Sequence, residues 1–221
     1  NNIGMYQNYE FVLKKSIGKG KYFHWLASDD TRSINFLEEN ITFLEENNDY
    51  IASCSIKFFG SKDSYQKNNK NFKIDQETSL ERINFLLSNI WQSHSIYFSV
   101  MRIEAIKNCQ YLAEHYLGQD WIINIFLAKN GKIALQKNSH IIIGEYGISR
   151  INPFDPFRLI WIEYFVPFYS FHKRFKKVIS SFKFLDKQIF EIRIIYLHIF
   201  TFKMICIRFI KKLIKTWFKK K

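Results

Sequence analysis

Residues 171–221 carry 15 of the 33 Lys and Arg side chains but 2 of the 20 Asp and Glu, so the whole net charge of +13 lies in that stretch and residues 1–170 balance to zero. Charged side chains stay at the surface unless paired. A neutral body with a strongly cationic end therefore folds as two objects with two tasks, the second of which meets an anionic surface. Pro153, Pro156 and Pro167 punctuate the aromatic stretch between them and break any helix there. The spacing predicts a folded domain over residues 1–150 and a helical, aromatic and basic extension over 151–221.

Within the neutral part, strand and helix patterns alternate. A short helix ends at Gly18, and a buried apolar run, Tyr22 to Ala27, stops at Ser28-Asp29-Asp30. Ile34, Phe36, Leu37, Ile41, Phe43 and Leu44 recur at helical spacing among four glutamates, giving an amphipathic helix over 33–47. Tyr50 to Phe59 reads as a strand, 60–76 as a polar loop and Ser79 to Trp91 as a helix. Ile96 to Met101 then reads as a short strand, followed by a helix from Arg102 to about Tyr116. Gly118 opens a further helix that stops at Asn130-Gly131, a left-handed cap signal. Lys132 to Leu135 and Ile141 to Ile143 are strands. Alternation on this scale predicts an α/β sandwich of three layers with a mostly parallel sheet.

Cys54, Cys109 and Cys206 are odd in number and far apart, which implies neither a disulfide framework nor a zinc site and fits a reducing compartment. Gly18-Lys19-Gly20-Lys21 is no phosphate loop, because it precedes a strand and lacks Gly-Lys-Ser/Thr. Asp29 and Asp30, beyond the carboxyl end of a strand, stand where open α/β sheets bind ligands and face a cationic partner. The alternative is that they cap the helix near Ser33. Asp120, just inside a helix start, carries the same two readings.

Gly20-Lys21-Tyr22, the apolar run and Ala27-Ser28-Asp29-Asp30 resemble the Gly-Lys-Tyr approach, strand and Asp-x-Asp-Asp turn of family 2 glycosyltransferases of the GT-A fold. Asn1-Asn2-Ile3-Gly4 with Asn8 fits the run before that strand, and Gly118-Gln119-Asp120-Trp121, Leu127-Ala128 and Gly131-Lys132 fit the helix that carries the family's acidic pair. The chain departs from the pattern at Ala27 and Gln119. The resemblance spans residues 1–150 and implies a GT-A domain whose base-holding first strands lie before residue 1. It implies that Asp29 and Asp30 hold Mg²⁺ or Mn²⁺ and the donor diphosphate, and that Asp120 is the general base. His140 would be a late metal ligand, Arg150 a phosphate contact in a loop over the diphosphate, and Trp121 either a stacking surface for the acceptor or, one step into an apolar helix, part of the core. The substrates would be a nucleotide-sugar and a glycan or lipid-linked acceptor, as in cell-surface polysaccharide synthesis. A non-catalytic remnant that binds a membrane or a partner is the rival reading.

From Gln188 to Lys221 bulky apolar residues continue while Arg193, Arg208, Lys211, Lys215 and Lys219 share one side of a helical wheel, with Lys203 off it. Glu191, Arg193, Lys203 and Arg208 interrupt any apolar run before the ~18 residues of a spanning helix. A helix lying in an anionic membrane interface is expected, at the cytoplasmic face of the cell membrane. The density of Ile, Phe and Leu argues against nucleic acid as the partner, and helix pairing with a partner protein is the third option.

Overall fold

The computed structural model describes residues 4–59, 71–112, 116–144 and 161–218. Two compact units result, Asn1–Phe157 and Arg158–Lys221. The expected boundary at Arg150 lies outside the described residues.

The first unit contains α1 (Met5–Ser16), β1 (Tyr22–Phe23), β2 (Thr31–Arg32), α2 (Phe36–Glu46), β3 (Tyr50–Phe59), α3 (Ser79–Ser88), a 3-10 turn (Ile90–Gln92), α4 (His94–Tyr97), β4 (Val100–Arg102), α5 (Ile103–Ile106), α6 (Gln119–Asn130) and β5 (Lys132–Ile143). The sheet order is β1-β4-β3-β5-β2. Only β3 and β5 pair in parallel among the described strands, while β1 with β4, β4 with β3 and β5 with β2 run antiparallel. The fold is mixed α/β, and its sheet is mixed where a mostly parallel one was expected. The physical reason is connection length: β3 and β5 are joined by a helical crossover through α3 to α6, which parallel strands require.

Helices cover both faces of the sheet. Ser55 of β3 points toward α2, where Asn40 donates to its hydroxyl at 2.8 Å and Ser139 Oγ lies 2.7 Å away. Its neighbour Cys54 points the other way, toward Ser95 of α4, as strand alternation requires. The core holds Phe36, Leu44, Ile83, Leu86, Ile122, Ile125 and Ile133. Two arginines, Arg82 buried and Arg102 half-buried, fasten element ends. Arg82 donates to the carbonyls of Ala128 and Lys129 at the close of α6, and Arg102 to those of Leu44, Asn47 and Tyr50. Both satisfy carbonyls that a helix terminus leaves without partners.

Several local expectations change. Residues 96–101 divide into a helical turn and the short β4, because Ser93 and Ser99 turn their hydroxyls back onto the carbonyls of Ile90 and Ile96 and favour turns over a ladder. The helix expected after Arg102 is the single turn α5. Gly131 is extended, with φ 179°, and not left-handed. A glycine is needed there because a Cβ would lie 2.5 Å from Ile51 Cγ2. The two strands expected over 132–143 are one strand with a bulge: Ser55 pairs with Gln136 and Ile56 with His140, leaving 137–139 out of the ladder.

The second unit contains a 3-10 turn (Trp161–Tyr164), α7 (Tyr169–Val178) and α8 (Phe184–Phe218). α7 and α8 form a hairpin joined by Phe175 against Phe190, by His172 Nε2 at 2.6 Å from Glu191, and by Lys176 at 3.7 Å from the same carboxylate. Among the described residues no helix is long and apolar enough to cross a membrane.

Candidate functional site

The acidic turn is fastened from both sides. Asp30 N donates to Ala27 O at 3.2 Å, closing a tight turn, and Thr31 and Arg32 pair with Ile142 and Ile141 of β5. Ser33 then locks onto the bulge, its amide donating to His140 O and its hydroxyl accepting from His140 N. The helix that follows starts at Phe36 with Asn35 as N-cap, so the carboxylates of Asp29 and Asp30 do not cap it. Asp30 Oδ1 instead accepts from the Gly144 amide at 2.9 Å.

Asp30 is 8% exposed, and its second oxygen, Oδ2, is buried without a hydrogen-bond partner. Burial raises its pKa, opposed by the Gly144 amide. Asp29 stands beside it, exposed, and packs so closely on Gly144 that a Cβ there would lie 2.3 Å from Asp29 Oδ2. Two adjacent carboxylates, one with a buried unsatisfied oxygen, are a donor set that suits a hard divalent cation. His140 is not brought to this pair. It sits four residues back along β5 from Gly144, about 13 Å of strand, with its ring edge-on to Phe58. Among the described residues no three His, Cys, Asp or Glu converge on one ion position.

Asp120 lies in the first turn of α6, behind the left-handed Gly118 with φ 84°. Amides of its own turn hydrogen-bond its carboxylate, yet burial dominates and pushes its pKa up to about 6. His94 of α4 faces it, with Nδ1 4.0 Å from Oδ2, both side chains being about one-third exposed. Burial, reinforced by the charge of Lys57, depresses His94 to about 4. Lys57, buried on β3, donates from Nζ to Gln92 O at 3.0 Å, and burial lowers it to about 8. At neutral pH the arrangement therefore holds an ionised Asp120 beside an uncharged imidazole.

α4 runs from an aromatic cluster at Trp25 to Asp120. Its Tyr97 end meets Tyr9 at 5.7 Å between ring centroids and stacks on Trp25 at 5.1 Å. The Tyr9 phenol is raised by burial and then by the charges of Asp30 and Asp29. Its His94 end meets Asp120, one helical turn away.

The acid that the resembled family carries before Asp120 is Gln119 here, and its environment explains the amide. Gln119 is buried, and Nε2 donates to Leu112 O at 3.0 Å and Tyr111 O at 3.3 Å. A carboxylate has no proton to offer those carbonyls. Trp121 is 9% exposed and lies beneath Trp91, 46% exposed, in an edge-to-face pair at 4.8 Å. The exposed ring of this pair is thus Trp91, and Trp121 is core. Arg150 and the rest of the loop 145–150 lie outside the described residues.

Sequence reasoning missed Lys57, His94 and Trp91. The two last flank Gln92 and Ser93 in a segment that looks like a helix end followed by a strand, and Lys57 sits in a strand pattern whose other members are apolar or small. No motif marks any of them. No protein-family model matches this chain, and no curated protein is similar to it in sequence.

Proposed function

We propose that the first unit transfers a sugar from a nucleotide-sugar to a hydroxyl of a glycan or lipid-linked acceptor, with inversion and with help from a divalent metal. The single observation that carries this reading is the Asp120 carboxylate in the first turn of α6, with His94 Nδ1 facing it at 4.0 Å and burial raising its pKa. A general base works best with a pKa close to the operating pH.

In the reaction, the acceptor oxygen bonds to the anomeric carbon as the bond from that carbon to the diphosphate oxygen breaks. The hydroxyl proton passes to Asp120. Asp29 and Asp30 would hold Mg²⁺ or Mn²⁺, which supplies charge neutralisation for the departing diphosphate. The adjacency of the two carboxylates and the Oδ2 of Asp30, left without a hydrogen-bond partner, support that assignment. Trp91 presents the ring on which an acceptor sugar would stack.

The rival, a non-catalytic remnant of such an enzyme, is favoured by the structural use of Gln119, which leaves a single acid at that helix. Turnover separates the two. Incubation with a panel of nucleotide-sugars, a panel of glycan and lipid-linked acceptors and Mn²⁺ should release nucleoside diphosphate, and the Asp120→Asn chain should bind donor yet release it about 10²- to 10⁴-fold more slowly. Donor binding without release by the unmodified chain would establish the remnant.

A further inference from the structure

The second unit leaves one side of a long helix bare. At 100° per residue, Phe190, Ile194, Leu197 and Thr201 fall together on the side of α8 that is buried in the hairpin. Leu185, Ile192, Tyr196, Ile199, Ile210 and Ile214 fall on the opposite side, within an arc of about 60°, and are between 50% and 73% exposed. This stripe extends about 45 Å along the helix at 1.5 Å per residue. Phe165, which follows the exposed Trp161 and Tyr164, closes over its edge, lining a cavity of about 350 Å³ with Val166, Ile195, Ile199 and Phe202.

We infer that this stripe is the lipid-facing side of a helix lying flat in the interface of an anionic bilayer, with the aromatic turn Trp161–Tyr164 beside it at headgroup depth. The inference is independent of the activity assigned to the first unit. Its length, aromatic neighbours and charge select this occupant. An apolar face of this length on a soluble surface marks a docking site, and tryptophan and tyrosine favour the membrane interface. The stripe carries no acidic side chain: Asp186 lies off it and Glu191 is engaged by His172 and Lys176. Exposed Arg193 and Lys211 border it, and Lys203 rises through it on a stem long enough to reach the headgroups. Pairing with a second copy would press together two stretches that each carry the +13 of residues 171–221, which opposes association.

The test is flotation of the full chain with phosphatidylcholine vesicles, alone and with phosphatidylserine mixed in. The chain should float with the anionic vesicles, less as salt rises, and stay down with phosphatidylcholine alone. Ile192→Glu with Ile199→Glu should lower vesicle binding at least about tenfold, since each buried isoleucine contributes about 1.5–3 kcal/mol. Both positions are exposed, so the helical circular dichroism in buffer should be retained. A dye on Cys206, which is more accessible than the buried Cys54 and Cys109, should shift to the blue on anionic vesicles and not in the double variant. Flotation unaffected by the double substitution would overturn the assignment. So would an unmodified chain that ignores vesicles, whether it sediments as a monomer or as a dimer that the same substitutions dissociate.

Discussion

The first unit turns its polar chemistry inward and the second turns its apolar surface outward. In the first, Asp30, Lys57, Arg82, Gln119 and Asn124 are buried, and each makes at least one hydrogen bond to protein. In the second, isoleucines, phenylalanines and Tyr196 stand exposed along α8, opposite the side that the hairpin covers. Buried polar groups are costly unless bonded and tie residues to one geometry. Exposed apolar residues fix no geometry until something covers them. A site with tuned acids belongs with the first arrangement and a surface that waits for a partner with the second.

The sharpest way to break this contrast is at Asp120. Asp120→Asn should reduce transfer by about 10²- to 10⁴-fold, the usual worth of a general base, while anionic-vesicle binding by α8 is unchanged. A loss of both together would mean that the two units do not act separately. The next largest effect is in the hairpin. Ile194→Ala, on the covered side of α8, should destabilise the second unit by about 2–5 kcal/mol, whereas Ile192→Ala on the bare side should change stability by less than about 0.5 kcal/mol. Thermal unfolding followed by circular dichroism, in buffer without vesicles, distinguishes the two. Equal costs would mean the bare stripe is covered in solution.

Two smaller effects sharpen the account of the first unit. Gln119→Glu exchanges a donor for an acceptor against the carbonyls of Leu112 and Tyr111, which should cost about 1–3 kcal/mol in denaturant unfolding. A stable, more active Gln119→Glu chain would show that the amide serves no structural need. Gly144→Ala forces the Cβ onto Asp29, which must move or strain the turn, at about 1–3 kcal/mol. Calorimetry with Mn²⁺ should show weaker metal binding if Asp29 moves, and unchanged binding would separate Asp29 from the ion.

The pH dependence supplies the gentlest test. Transfer should require ionised Asp120 and fall about tenfold per pH unit below about 6. Stability moves differently. Asp120 is raised from 3.8 to about 6, so the folded chain holds more protons between those values and this group's contribution, full below about 4, is lost as pH rises through 6. His94 and His24 are lowered from 6.5 to about 4, so the unfolded chain binds more protons and their contributions grow with pH over the same window. Asp120→Asn should therefore make stability climb more steeply between pH 4 and 6. An unchanged slope in urea titrations would show that Asp120 is not held in its neutral form by burial.

Periodicity alone identified the amphipathic α2, the strand Tyr50–Phe59, and the helix that begins behind Gly118 and ends before Gly131, because these patterns are local and repeat over several turns or pleats. Charge counting separated the basic end from the neutral body, since net charge needs no coordinates. What the sequence left undecided were contacts between residues far apart along the chain: the Asp30 carboxylate on the Gly144 amide, 114 positions away, Lys57 on Gln92, and His94 facing Asp120. The antiparallel pairings and the shortness of β1, β2 and β4 belong to the same class. Which side of α8 is bare was equally beyond the sequence, since large apolar residues occupy both the side that α7 covers and the side it leaves open. A side chain's type sets what it can bond to, but its partner, its burial and hence its pKa are properties of the packed chain.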